Sequence, residues 1–127
     1  MATKIRHIAL SVQDPEGTAK FYEEAFGWQM MPMPEMGYTI VMSGPSGDQG
    51  PSEPGFINGG MMQREEPFTA PNIVVDVANL EETLKAVNEA GGTTVTERQA
   101  VGEMGFTAYF KDSEGNLVGL WENAPSG

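Results

Sequence analysis

Between Ile5 and Val12 the chain alternates, with Ile8, Leu10 and Val12 facing one way and His7, Ala9 and Ser11 the other. A period of two predicts a strand between two different environments. The alternation returns at Asn72 to Val77, where Ile73, Val75 and Val77 oppose Asn72, Val74 and Asp76. After each strand the apolar spacing lengthens to that of a helix, through Ala19, Tyr22, Ala25 and Phe26 and through Leu80, Leu84, Val87 and Ala90. Asp14 stands before Pro15, a capping side chain followed by a proline suited to the first helical turn. Asn79 and Glu82 have the spacing of a capping box. Gly27 and the pair Gly91-Gly92 are the expected stops. Three more strands are predicted after each helix: Trp28 to Met31, Gly37 to Met42 and Phe56 to Met62, then Thr93 to Arg98, Phe106 to Lys111 and Leu117 to Glu122. Asp112 to Asn116 reads as the turn joining the last two. Ser43 to Gly55, rich in Gly, Pro and Ser, reads as a mobile loop.

The two halves are copies. His7 to Gly27 lies over Asn72 to Gly92 at a constant offset of 65 without a gap, and eight of the 21 pairs are identical: Ile8/Ile73, Val12/Val77, Glu16/Glu81, Thr18/Thr83, Lys20/Lys85, Glu24/Glu89, Ala25/Ala90 and Gly27/Gly92. Two copies are too few for a solenoid. The reading is one α+β domain over 1–127 made of two βαβββ modules, about 4–62 and 72–124, with a linker at 63–71. Two such modules are expected to form a curved, partly open mixed sheet around a cleft. Either module alone is too small for a robust core, so the halves are expected to pack on each other, on a second chain as in a homodimer, or on both.

Composition narrows the function. A formal net charge of -11 repels phosphate backbones and argues against nucleic acid. With no cysteine there is no disulfide, thiolate metal site or cysteine nucleophile, which fits a cytoplasmic location. No apolar run approaches the roughly 18 residues that span a bilayer, so no membrane partner is expected.

The strand HIALSV, the segment FYEEAFGW, the late GG and KDSEGNLVGLWE together resemble the vicinal oxygen chelate superfamily. That group holds glyoxalases, extradiol dioxygenases, fosfomycin-resistance enzymes and bleomycin-resistance proteins. The resemblance implies the duplicated βαβββ fold and a divalent metal held by side chains from the first and last strands of each module. Carried over, the four ligand positions fall on His7, Gly60, Asn72 and Gly119. The last of these stands in Gly115-Asn116-Leu117-Val118-Gly119-Leu120, where the family's run carries a glutamate. Glycine offers no donor atom in its side chain, so the full metal site is not expected and neither is any other cofactor. A divalent metal would need shifted ligands, such as His7, Asp76 and Glu103. Glu122 is three residues beyond Gly119 and so belongs to the opposite strand face.

These considerations favour a small-molecule binding protein of the glyoxalase/bleomycin-resistance kind. The alternatives are a metal-dependent lyase, isomerase or dioxygenase, and a non-catalytic dimeric interaction module. Expected ligand-binding residues are His7, Ser11, Tyr38, Asn72, Phe106, Tyr109 and Trp121, an aromatic lining with a few polar groups. His7 and Glu103 are the candidates for acid–base work. Gly59-Gly60 is expected to leave room at the floor of the cleft. The methionines Met30, Met31, Met33, Met36, Met61 and Met62 suit an adaptable rim or a subunit contact.

Overall fold

A computed structural model describes residues 3–34, 37–47 and 50–124. The order of elements is β1 (Lys4–Val12), α1 (Pro15–Phe26), β2 (Gln29–Met33), β3 (Tyr38–Met42), β4 (Ser46–Gly47), β5 (Gly50–Pro51), β6 (Asn58–Gln63), β7 (Asn72–Asp76), α2 (Leu80–Glu89), β8 (Thr93–Val101), β9 (Gly105–Lys111) and β10 (Leu117–Asn123). The architecture is α+β. The chain divides into a leading unit, His7–Pro71, and a trailing unit made of the residues up to Arg6 and those from Asn72 onward.

Each unit has the same topology. In the leading unit the strands run in the order β2-β3-β6-β1, and in the trailing unit β8-β9-β10-β7. First and last strands of each copy pair in parallel (β1 with β6, β7 with β10), and the remaining neighbours are antiparallel. The helix between the first and second strands supplies the crossover such a pattern requires.

The helix ends form as their sequences require. Asp14 Oδ1 accepts from the Gly17 amide at 3.1 Å, and Gly27, at φ 71°, closes α1 by donating to the Glu23 carbonyl at 2.9 Å. Asn79 Oδ1 accepts from the Glu82 amide at 3.0 Å. Glu122 adds a second cap on α2, its Oε1 accepting from the Leu80 amide at 2.8 Å. That fixes Glu122 on the helix side of its strand.

Burial follows the alternation only in part: Val12 and Val77 are buried, but Ile8 and Ile73 are each 37% exposed, and Ala9, Ser11, Asn72 and Val74 on the opposite faces are buried. In the trailing unit Val77, Leu80, Leu84, Ala108 and Leu120 form the core, with Val75, Phe106 and Phe110 packed on it. In the leading unit Val12, Val41 and Met61 form it, joined by Leu10, Ala19, Trp28 and Met30. The stripe expected on α1 is only partly used. No α1 residue is fully buried, Phe26 is 62% exposed, and Tyr22 stacks on Trp28 with ring centroids 5.0 Å apart.

The Ser43 to Gly55 segment is more structured than a mobile loop. β4 and β5 pair through Ser46↔Pro51 and Gly47↔Gly50. Asn58 ties the hairpin down, donating to Ser46 Oγ at 2.8 Å and accepting from the Ser43 amide at 3.0 Å. The two residues of that segment at 48 and 49, like Met36, lie outside the described residues.

Candidate functional site: two strand faces with tyrosine over glycine

In the leading unit, the strand face away from α1 carries His7, Ala9 and Ser11 of β1. Their ladder partners on β6 are Asn58, Gly60 and Met62. Tyr38 of β3 stands opposite Met62, one step diagonally from Gly60. Its ring covers that glycine so closely that a methyl group at position 60 would overlap the Tyr38 hydroxyl and ring. The room expected above Gly59-Gly60 is therefore filled. Ser11 is buried and its hydroxyl donates to the Ala70 carbonyl at 3.3 Å, so it serves the linker. His7 is half-buried on this face, beside Asn58 in the ladder.

The trailing unit repeats the arrangement by another route. Gly119 of β10 stands directly opposite Tyr109 of β9 and beside Val74 of β7. A methyl group at position 119 would lie 2.9 Å from Tyr109 Cε1 and 3.1 Å from Val74 Cγ2. Burial pushes the Tyr109 phenol above its ordinary pKa, and a Thr107 side-chain hydrogen bond offsets part of that rise. The phenol therefore keeps its proton at neutral pH. On the same face Trp121 pairs with Asp76 in the ladder, and its indole nitrogen donates to Asn123 Oδ1 at 2.8 Å. Arg6 lies over the Trp121 ring, 5.4 Å from its centroid, and reaches Asp76 Oδ2 at 3.4 Å.

Asn72 is the unusual member of this face. It opens β7, two residues before Val74, and is only 5% exposed. Neither its side-chain nitrogen nor its oxygen has a hydrogen-bond partner. Leaving one such group unsatisfied costs about 1–3 kcal/mol, so an orphaned carboxamide in a native fold points to a missing partner.

Two expected residues lie elsewhere. Phe106 is on the α2 side of β9, packed on the Leu80/Leu84 core and covered by the Arg98 guanidinium 3.6 Å from its centroid. The correction was readable from parity: Phe106 and Tyr109 are three residues apart on one strand and must point oppositely. Glu103 is exposed in the turn between β8 and β9. Asp76, the other shifted candidate, is engaged by Arg6. Among the described residues no group of three or more His, Asp or Glu side chains is placed to hold a metal ion.

The metal that the resemblance implies can be tested against these residues. Of its four positions, Gly60 and Gly119 supply no donor atom, and a tyrosine ring occupies the space into which a longer side chain would grow. Asn72 supplies a neutral amide. That donor set does not fit a divalent ion, which requires several anionic or imidazole ligands converging on one point.

Two open grooves are also present, the second of which touches the leading unit's face only at Ser11. One, of about 900 Å³, runs between α2 and β8 and is lined by Glu81, Lys85, Asn88, Glu97 and Arg98 among others. The other, of about 450 Å³, lies beside α1 and includes Asp14, Tyr22 and Arg64. Both are shallow and mixed in charge, unlike an apolar pocket with converging polar groups.

A family model described as glyoxalase/bleomycin resistance protein/dioxygenase superfamily matches residues 4–120. The chain belongs to that superfamily. Solved structures that share its fold include a hypothetical protein from Bacillus halodurans C-125, with TM-score 0.68 and 18% identity over 100% of this chain and 99% of that one. A methylmalonyl-CoA epimerase from Streptomyces coelicolor superposes with TM-score 0.66 and 18% identity, covering 98% of this chain and 96% of that one. A superfamily member from Vibrio splendidus 12B01 follows with TM-score 0.64 and 12% identity, over 96% and 100% of the two chains. No curated protein matches the chain in sequence. No helix among the described residues is long and apolar enough to cross a membrane.

Proposed function

We propose that the chain binds a small organic molecule on the strand face of its trailing unit, without the superfamily's full metal site. Asn72 carries this reading. A buried carboxamide with both atoms unbonded offers a donor and an acceptor side by side. A ligand edge with the complementary pair, as in a lactam or a primary amide, would satisfy both at once. Tyr109 and Trp121 add an aromatic surface on the same face.

The superfamily's metal-dependent lyase, isomerase and dioxygenase chemistries need ligands that Gly60 and Gly119 do not supply. The epimerases among the structural neighbours make acyl-CoA thioesters a class to include in any screen. The chain is further proposed to act as a homodimer.

The test is a thermal-shift and NMR screen of lactams, small amides and acyl-CoA thioesters against the wild type and Asn72→Leu. The leucine keeps the size of the side chain and removes its polar atoms. Compounds that raise the melting temperature of the wild type are expected to leave the variant unmoved. Equal shifts in both proteins, or no binder at all, would overturn the assignment.

A further inference from the structure

We infer that the Tyr109 ring and any side chain at position 119 are mutually exclusive occupants of one space, as are the Tyr38 ring and position 60, and that this exclusion in each unit keeps the chain from holding a divalent metal. The inference rests on the metal-free reading above and explains it.

The geometry is the argument. A Cβ is fixed by the backbone, so its contact with a ring is relieved only when the ring itself leaves the space. At position 119 the ring atom is 2.9 Å away and Val74 closes the other side at 3.1 Å. At position 60 the overlap is deeper but falls on the hydroxyl and far end of the Tyr38 ring, which must swing aside for any side chain to fit. Both glycines are buried strand residues, whereas Tyr38 and Tyr109 are half-buried, so the ring is the partner that must yield. The ladder relation differs between the units, direct for Tyr109 and Gly119 and diagonal for Tyr38 and Gly60. The same end is thus reached in two ways, which one fortuitous side-chain placement would not produce. The exchange also inverts the chemistry of the position. A carboxylate there would offer lone pairs to a cation, whereas a protonated phenol offers a hydrogen to an oxygen. The raised pKa of Tyr109 agrees with that polarity.

The experiment is a double-mutant cycle of Gly119→Glu, Tyr109→Ala and the two combined, followed by thermal melting. Gly119→Ala replaces the glutamate should that variant fail to fold. Wild-type protein is assayed in parallel for metal by plasma mass spectrometry after incubation with Mn, Ni and Zn ions. The single substitution at 119 is expected to lower the melting temperature by about 5–15 °C, and removing the ring is expected to restore at least half of that loss. The wild type is expected to hold no stoichiometric metal. Additive effects in the cycle, a Gly119→Glu protein that melts like the wild type, or near-stoichiometric metal in the wild type would each overturn the inference. None of these outcomes depends on whether a small-molecule ligand is found.

Discussion

Asn72 and Ser11 are both polar residues in alternating strands, and the fold uses them differently. Ser11 spends its hydroxyl on the Ala70 carbonyl, while Asn72 is buried with both amide atoms unbonded. The strand alternation predicts the face of each residue but not its partner, because Ala70 sits 59 positions from Ser11. The tyrosines were legible to the same limited extent. Parity puts Tyr38 and Tyr109 on these faces, but the glycine that each covers follows from cross-strand register, which one strand's sequence does not carry. Tyr109 also yields a pH prediction. Its pKa is raised in the fold, so its contribution to stability is complete below the ordinary tyrosine value of 10.0 and is lost as pH rises through the folded value. Between pH 8 and 11 the melting temperature of the wild type is expected to fall more steeply than that of Tyr109→Phe. Parallel slopes would show that the phenol is not held in its neutral form.

At the scale of elements, α2 was the most readable part of the chain. Its cap, apolar spacing and glycine stop all lie within about 15 residues and act locally. Its second cap was not readable, because Glu122 arrives from a strand 42 positions away. The Leu80 amide is one of the first-turn donors that no helical carbonyl can reach, and a carboxylate there also meets the positive end of the helix dipole. Glu122→Ala is expected to destabilise the protein by about 1–2 kcal/mol in urea unfolding, comparable to the loss of a good N-cap. Glu122→Gln, which keeps the acceptor, is expected to cost less. The β4–β5 hairpin illustrates the opposite limit. Strands of two residues have no period to detect, and Gly-Pro-Ser composition says only that regular structure is disfavoured.

For the molecule as a whole, the duplication was the decisive sequence signal, since two copies of one βαβββ pattern restrict the fold to few choices. Its surface carries a feature that the copies do not share. Phe21 and Phe26 on α1 are 59% and 62% exposed and join Tyr22 and Trp28 in an aromatic cluster, whereas α2 shows no aromatic residue at all. A second chain covering that cluster would account for its exposure in one chain. Light scattering coupled to gel filtration is expected to report twice the mass of one chain. Phe21→Ser with Phe26→Ser is expected to return the single-chain mass with the fold intact by circular dichroism, and an unchanged mass would remove α1 from the interface.

The pairing of ring and glycine also has a historical side. A change at Gly119 alone meets the Tyr109 ring, and loss of the ring alone leaves a buried hollow above a residue with no side chain. Each single step is penalised, so neither position can drift by itself. Across descendants of this chain the two sites should change together or not at all, and the same rule should govern Gly60 with Tyr38.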